Sequence, residues 1–432
     1  MFRRSLALLG ALAALSTPPA AAQEGEPIRI GFLASNEGEV APISIAFNDG
    51  LADYFTLLNV RDGGVEGRPL EIVACETGYT MEGHVACYQE IAGAGAVFAI
   101  PSMTEGAYAV NRIAPQVGVP TLNGGLGQTA AANGEVFPLS FAFPANYLQA
   151  ASVMVNFLDT ELEGLAGKRI AFVYHDSAFG TEPIPLLEAL AAREGFTLDL
   201  YPVAPPGEDQ AAVWGRVAAS GADQAILWTV GRMTGTAIGT AAAVGYPRER
   251  MLGIWWTTPE PLMRALGPAA EGMRAVSFMS VGFDVPAYNA LNEIVYFGGR
   301  GHGQMDNVGH VDYNRGLMTG VYMAEAVRAA LAGDPAAEMT PARMVAGLES
   351  LDLSAADLQA LGLGEYVAPI TLSCADHGGY GGLRVIRWSA RSRVWENASD
   401  FIEAERALVD GIVARQAAGY AEAVGITPRS CS

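Results

Sequence analysis

Short apolar runs separated by helix-forming stretches set the rhythm of this chain. "IRIGFLA" near residue 28, "PLEIVAC" near 69, "AVFAIPS" near 96 and "VPTLNGG" near 119 form a first series. "RIAFVYHD" near 169, "FTLDLYPV" near 196, "DQAILWTVG" near 223, "RMLGIWW" near 250 and "RAVSFMS" near 274 form a second. Runs without polar alternation fit strands covered on both faces. In the second series they recur at roughly 25 residues, the length of one βα unit. Between them, residues 182–193 and 213–219 carry helix formers at helical spacing. The pattern predicts an α/β fold with two successive blocks, 28–143 and 147–277, each a parallel sheet flanked by helices.

Punctuation supports the division. Pro144 restricts the residue before it and suits a crossover, with a helix starting around Asn146. A second crossover is expected between Met279 and Pro286. After it, residues 313–331 read as a long helix with Met and Val on its apolar stripe. "GLRVIRWSARSRVWENASDFI" reads as a hairpin, with Trp388 and Trp395 as packing residues.

The N-terminus speaks to compartment. "MFRRSLALLGALAALSTPPAAAQ" joins Arg3 and Arg4, an apolar run from Leu6 to Leu15, and an A-x-A site before Gln23. That is the layout of an export signal over residues 1–22, cleaved after Ala22, and its apolar run is too short to span a bilayer. No cysteine stands at the cleavage site for a lipid anchor. In an oxidising space four cysteines read as two disulfides. Three pairings are possible. The local one is Cys75–Cys87, which leaves Cys374–Cys431. Lys and Arg total 26 against 46 acids, a net charge of −20, which becomes about −22 once Arg3 and Arg4 leave. This excess of acid excludes nucleic acid and anionic membrane surfaces as natural partners. The length and 50% hydrophobic content call for two domains.

Catalytic constellations are missing from the sequence. It has no G-x-S-x-G, H-E-x-x-H, C-x-x-C or post-strand G-x-G-x-x-G, and "GLAGKR" at 164–169 is no P-loop. We expect neither an enzyme nor a cofactor or metal. His302, His310 and Asp312 read as solvated residues of a Gly-rich loop, and "NAS" at 397–399 is only a sequon. The strand ends carry another signal. Ser35, Asn36, Ser102, Thr104, Asn123, Asp176, Ser177, Thr229 and Thr257 gather hydroxyl and small polar groups there. In open α/β sheets ligands bind outside the carboxyl ends of the strands. Hydroxyls and free helix N-termini at such ends suit a small anionic group.

The stretch "GGVEGRPLEIVACETGYTMEGHVACYQEIAGAGAVFAIPSMTEGAYAVNRIAPQVGVPTLNGG" is similar to the N-terminal domain of a known family. That family is the solute-binding proteins of branched-chain-amino-acid-type ABC transporters, leucine/isoleucine/valine-binding-like type I periplasmic binding proteins. "RIAFVYHDSAFGTE" resembles the opening of their second domain, and the order of elements matches over roughly residues 28–400. The resemblance implies a disulfide at Cys75 and Cys87. It implies two hinge-linked lobes: 23–143 plus about 281–366, and 144–280 plus about 367–432. It implies a periplasmic, monomeric protein that captures a small organic ligand and delivers it to a membrane permease. The alternative is an extracytoplasmic ligand-sensing receptor of the same fold.

By the same resemblance a ligand carboxylate would meet Ser102, Met103 and Thr104 and the loop holding Asn123, Gly124, Gly125 and Gly127. Phe179 would close over it, and Thr229, Arg232, Trp255, Trp256 and Thr257 would line the other wall. Amino-acid binders of the family place an acid at the end of the strand matching "MLGIWWTT"; here tryptophans stand there, and Glu260 lies further along. The expected ligand is therefore a small planar or aromatic carboxylate or amide rather than a leucine-like amino acid, with Arg232 as a second anion contact. An acid such as Glu37, Asp176 or Asp284 folding into the cleft would restore amino-acid binding.

Overall fold

The computed structural model describes residues 25–379 and 381–431, so the export signal at 1–22 lies outside the described residues. Five strands open the chain: β1 (Ile28–Ala34), β2 (Leu70–Glu76), β3 (Ala96–Ile100), β4 (Thr121–Leu122) and β5 (Ser140–Phe141). They form one all-parallel sheet in the order β2-β1-β3-β4-β5. Next come β6 (Arg169–His175), β7 (Thr197–Val203), β8 (Gln224–Trp228), β9 (Met251–Gly253) and β10 (Arg274–Ser277). A small pair, β11 (Asp352–Leu353) and β12 (Ile370–Thr371), is followed by β13 (Arg384–Ser389) and β14 (Val394–Asn397). The second sheet runs β14-β13-β10-β9-β8-β6-β7. The α/β class and the two-lobed plan with helix-flanked parallel sheets are as the sequence predicts.

Three details differ. The second sheet is mixed, because β13 pairs antiparallel with β10 and β14 with β13. β2 and β7, read as covered on both faces, are edge strands with several exposed or half-exposed residues. Central strands such as β3 and β8 are buried along their whole length. The run "VPTLNGG" gives a strand of just 2 residues. The predicted hairpin is β13–β14, where Trp388 and Trp395 face each other in register and are both buried.

Local chemistry places the boundaries of the helices. Asn146 and Gln149 form a reciprocal capping box that starts the helix Tyr147–Glu161 directly after Pro144. The predicted long helix spans Val311–Leu331 and packs along the helix Ala41–Asp62. A large apolar core runs through both blocks, with Phe32, Phe98, Tyr147, Trp228 and Trp255 among its fully buried members. Cys75–Cys87 and Cys374–Cys431 are both bridged. The segment around the second bridge packs on the first block: His377 stacks on Phe141, and its Nδ1 lies 2.8 Å from the Ser140 carbonyl. Among the described residues no helix is long and apolar enough to cross a membrane.

Candidate functional site

The carboxyl ends of β1, β3 and β4 from one sheet, and of β6, β8 and β9 from the other, open onto one cleft. It consists of two joined chambers that share Val40, Ile43, Ser102, Leu126 and Trp256. The inner chamber holds about 650 Å³ of empty space, partly open to solvent. Its walls are apolar, with Phe32, Phe47, Phe278 and Trp256 presenting rings, and Arg315 closes one side. The outer chamber holds about 440 Å³ and is more polar, lined by Tyr79, Thr104, Glu105, His175, Ser177 and Phe179 among others.

Several residues expected at the site from sequence lie together here. Ser102 and Trp256 line both chambers, Gly124 the inner one, and Met103, Thr104 and Phe179 the outer one. Gly124 has no room for a side chain, since a Cβ there would stand 1.8 Å from the Phe143 carbonyl oxygen.

The others stand elsewhere, each for a physical reason. Trp255 is fully buried behind the wall, stacked on Tyr147, with its Nε1 donating to the Gly125 carbonyl at 2.9 Å. The short turn Trp255–Thr257 rotates successive side chains to different sides, so only Trp256 reaches the cleft. Thr257 donates to the Ile254 carbonyl at 2.7 Å, and Thr229 lies 2.8 Å from the Thr234 hydroxyl, so both are spent inside their lobe. Arg232 sits at the rim with its side chain 69% exposed, 3.8 Å from Glu39 and 3.5 Å from Glu208. Asn123 is fully buried, and neither end of its amide has a hydrogen-bond partner among the described residues. Gly127 leaves space for Glu182, which a Cβ there would meet at 2.3 Å.

The acids and histidines also differ from expectation. Asp284 lines a separate cavity with Glu260 and His310, while Glu37 and Asp176 are exposed. Glu260 is buried, and its carboxylate accepts the Val311 N–H at the start of the long helix. Burial, reinforced by Asp312, pushes its pKa up to about 8. His310 and Asp312 are not solvated loop residues. His310 is buried 2.8 Å from an Arg264 nitrogen, and Asp312 is buried in an ion pair with Arg315. His302 is exposed. Among the described residues no group of three potential ligands could hold a metal ion.

Sequence reasoning missed Arg315, Glu105, Tyr147 and Glu182. Arg315 donates to the Trp255 carbonyl at 2.7 Å and lies 5.2 Å from the Trp256 ring centroid. Its Nε has no partner among the described residues. The i,i+3 charge pair Asp312 and Arg315 on a largely apolar helix was the available signal. Tyr147 bridges to the Thr104 hydroxyl at 3.0 Å. Glu182, from the second block, accepts hydrogen bonds from the Tyr108 hydroxyl and the Thr129 N–H of the first.

Comparison with known proteins places this geometry. The model of a family described as "Periplasmic binding protein" matches residues 27–393. A crystal structure titled as an ABC transporter permease from the Pseudomonas fluorescens group is 31% identical, with a TM-score of 0.88, covering 94% of this chain and 99% of that one. A branched chain amino acid ABC transporter from Thermus thermophilus with bound valine is 17% identical, with a TM-score of 0.74 over 90% of this chain and 99% of that one. A solute binding protein of an ABC transporter from R. palustris, in complex with benzoate, is 18% identical, with a TM-score of 0.68 over 88% and 98%. At such identities the last two speak for the fold alone. No curated protein matches the sequence.

Proposed function

Since this chain belongs to the periplasmic binding protein family, we propose that it is the extracytoplasmic solute-binding component of an ABC importer. It captures a small organic solute between its lobes and hands it to a membrane permease. Export by cleavage after Ala22 and a monomeric working state complete the reading. Binding, rather than turnover, is what the family does.

The observation that supports a ligand class is the inner chamber. Phe32, Phe47, Phe278 and Trp256 give it flat apolar faces, which suit a planar or aromatic body. Arg315 gives it a buried guanidinium with an N–H to spare, which suits a carboxylate or amide oxygen. The ligand is then a compact aromatic or planar carboxylate or amide. A thermal-shift screen of amino acids, aromatic acids and amides on the mature protein, followed by calorimetry, tests this. Micromolar binding of leucine, isoleucine or valine without response to aromatic acids or amides would remove the ligand class. Unchanged solute uptake in a strain lacking the protein would remove the transport role.

A further inference from the structure

The direction in which protons are held around Ser102 says what kind of group the outer chamber accepts. His84 is fully buried, with Nδ1 2.7 Å from the Thr80 carbonyl. A carbonyl only accepts, so Nδ1 carries the hydrogen. Burial holds the His84 pKa below its usual value, so the ring is neutral and Nε2 presents a lone pair. That lone pair faces the Ser102 hydroxyl at 3.2 Å and the Ser102 N–H at 3.4 Å. On its other side the Ser102 hydroxyl lies 2.7 Å from Ser35, whose own hydroxyl lies 2.9 Å from Thr77. Thr77 donates to the Ala34 carbonyl at 2.8 Å, so it accepts from Ser35. Ser35 in turn is free to accept from Ser102. The Ser102 hydrogen thus has two acceptors inside the lobe, and a lone pair is left for the cleft.

A second observation points the same way. Glu105 lines the outer chamber beside Ser102, and its Oε1 is buried without a hydrogen-bond partner among the described residues. Glu105 also stands in the first turn of the helix Thr104–Val117. The helix end therefore already has its negative charge, and a ligand anion there would be a second one. The opposite wall brings no compensating cation. His175 is held neutral by burial, and Arg232 is at the exposed rim against Glu39 and Glu208.

We propose that the outer chamber recognises an N–H-donating head group, an ammonium, amidinium or primary carboxamide, through the Ser102 oxygen and the Glu105 carboxylate. This rests on the solute-binding reading and reverses the polarity expected at Ser102 from resemblance. An acceptor at the far end of the ligand is left to Arg315.

4-(Aminomethyl)benzoate, 4-carbamoylbenzoate and terephthalate, which share a ring and a far-end carboxylate for Arg315 and differ in head, test it by calorimetry on the full mature protein. The aminomethyl and carbamoyl probes should bind at least about tenfold more tightly than terephthalate, the scale of one charge-assisted hydrogen bond. E105Q should weaken the aminomethyl probe by about tenfold and leave the carbamoyl probe within about threefold. S102A should weaken both, with an unchanged melting profile as the folding control. Terephthalate binding as tightly as the aminomethyl probe, or E105Q strengthening terephthalate while sparing the aminomethyl probe, overturns the inference. Failure of all three probes overturns it as well, while the uptake measurement still judges the transport role separately.

Discussion

At the scale of single residues, Glu182 shows how burial makes a carboxyl pH-sensitive. Burial raises its pKa from 4.5 to about 7, although hydrogen bonds from Thr129 and Tyr108 pull the other way and Glu105 adds a smaller push upward. In the unfolded chain it titrates near the ordinary value, so between about 4.5 and 7 the folded protein holds a proton that the unfolded chain has lost. The stabilisation is fully present below the lower value and is lost as pH rises through the upper one. Stability should therefore fall by about 2 kcal/mol from this group between pH 5.5 and 8. E182Q should match the wild type near pH 4 and melt increasingly higher than it toward pH 8, in thermal scans across that range. Glu260 and Asp312, with pKa values pushed up to about 8 and about 6, slope the same way and remain in both proteins. Parallel pH profiles for the two would exclude this role. Glu182 was not legible as a site residue, because its importance comes from Gly127 and Tyr108, which the fold brings to it from the other block. Ser102, Phe179 and Trp256 were legible, because each follows directly on the end of a strand or opens the next turn.

At the scale of elements, the two long helices illustrate what periodicity reveals and what it hides. The apolar stripe of residues 313–331 announced a buried helix, but it could not say which helix would lie against it. The structure brings it so close to the helix Ala41–Asp62 that a Cβ on Gly316 would stand 1.8 Å from the Phe47 carbonyl oxygen. One on Gly50 would stand 2.0 Å from the Tyr313 carbonyl oxygen. In an isolated helix Gly316→Ala would be favourable by about 1 kcal/mol. Here the clash is with backbone, which cannot rotate away, and overpacking costs about 1–3 kcal/mol or more. We expect G316A to be net destabilising by about 2 kcal/mol in urea titrations; a variant as stable as the wild type would show that the helices are not in such close contact. The same limit explains the edge strands. β2 and β7 are as apolar in sequence as their neighbours, and only the strand order leaves them at the margins.

At the scale of the whole molecule, some of the groups that join the lobes do not line the cleft. Trp255 touches no chamber, yet its Nε1 donates across to the Gly125 carbonyl, and its own carbonyl accepts from Arg315. Tyr147 meets Thr104, and Glu182 meets Tyr108. We expect these bonds to break if the lobes part, so that they would bias an equilibrium between open and closed forms on which affinity depends. Trp255→Phe keeps an aromatic ring against Tyr147 but removes the donor, leaving the Gly125 carbonyl without its partner in the closed form and solvated in the open one. The cost, about 1–2 kcal/mol, falls on closure alone. Affinity for any cleft ligand should drop by about five- to thirtyfold. The loss should appear in faster dissociation, with association little changed, because the open form that meets the ligand is unaltered. Scattering on the wild type should show the radius of gyration falling when a saturating ligand is added, and the variant should need more ligand for the same fall. If W255F binds as tightly as the wild type while the ligand still compacts the molecule, closure does not depend on this bond.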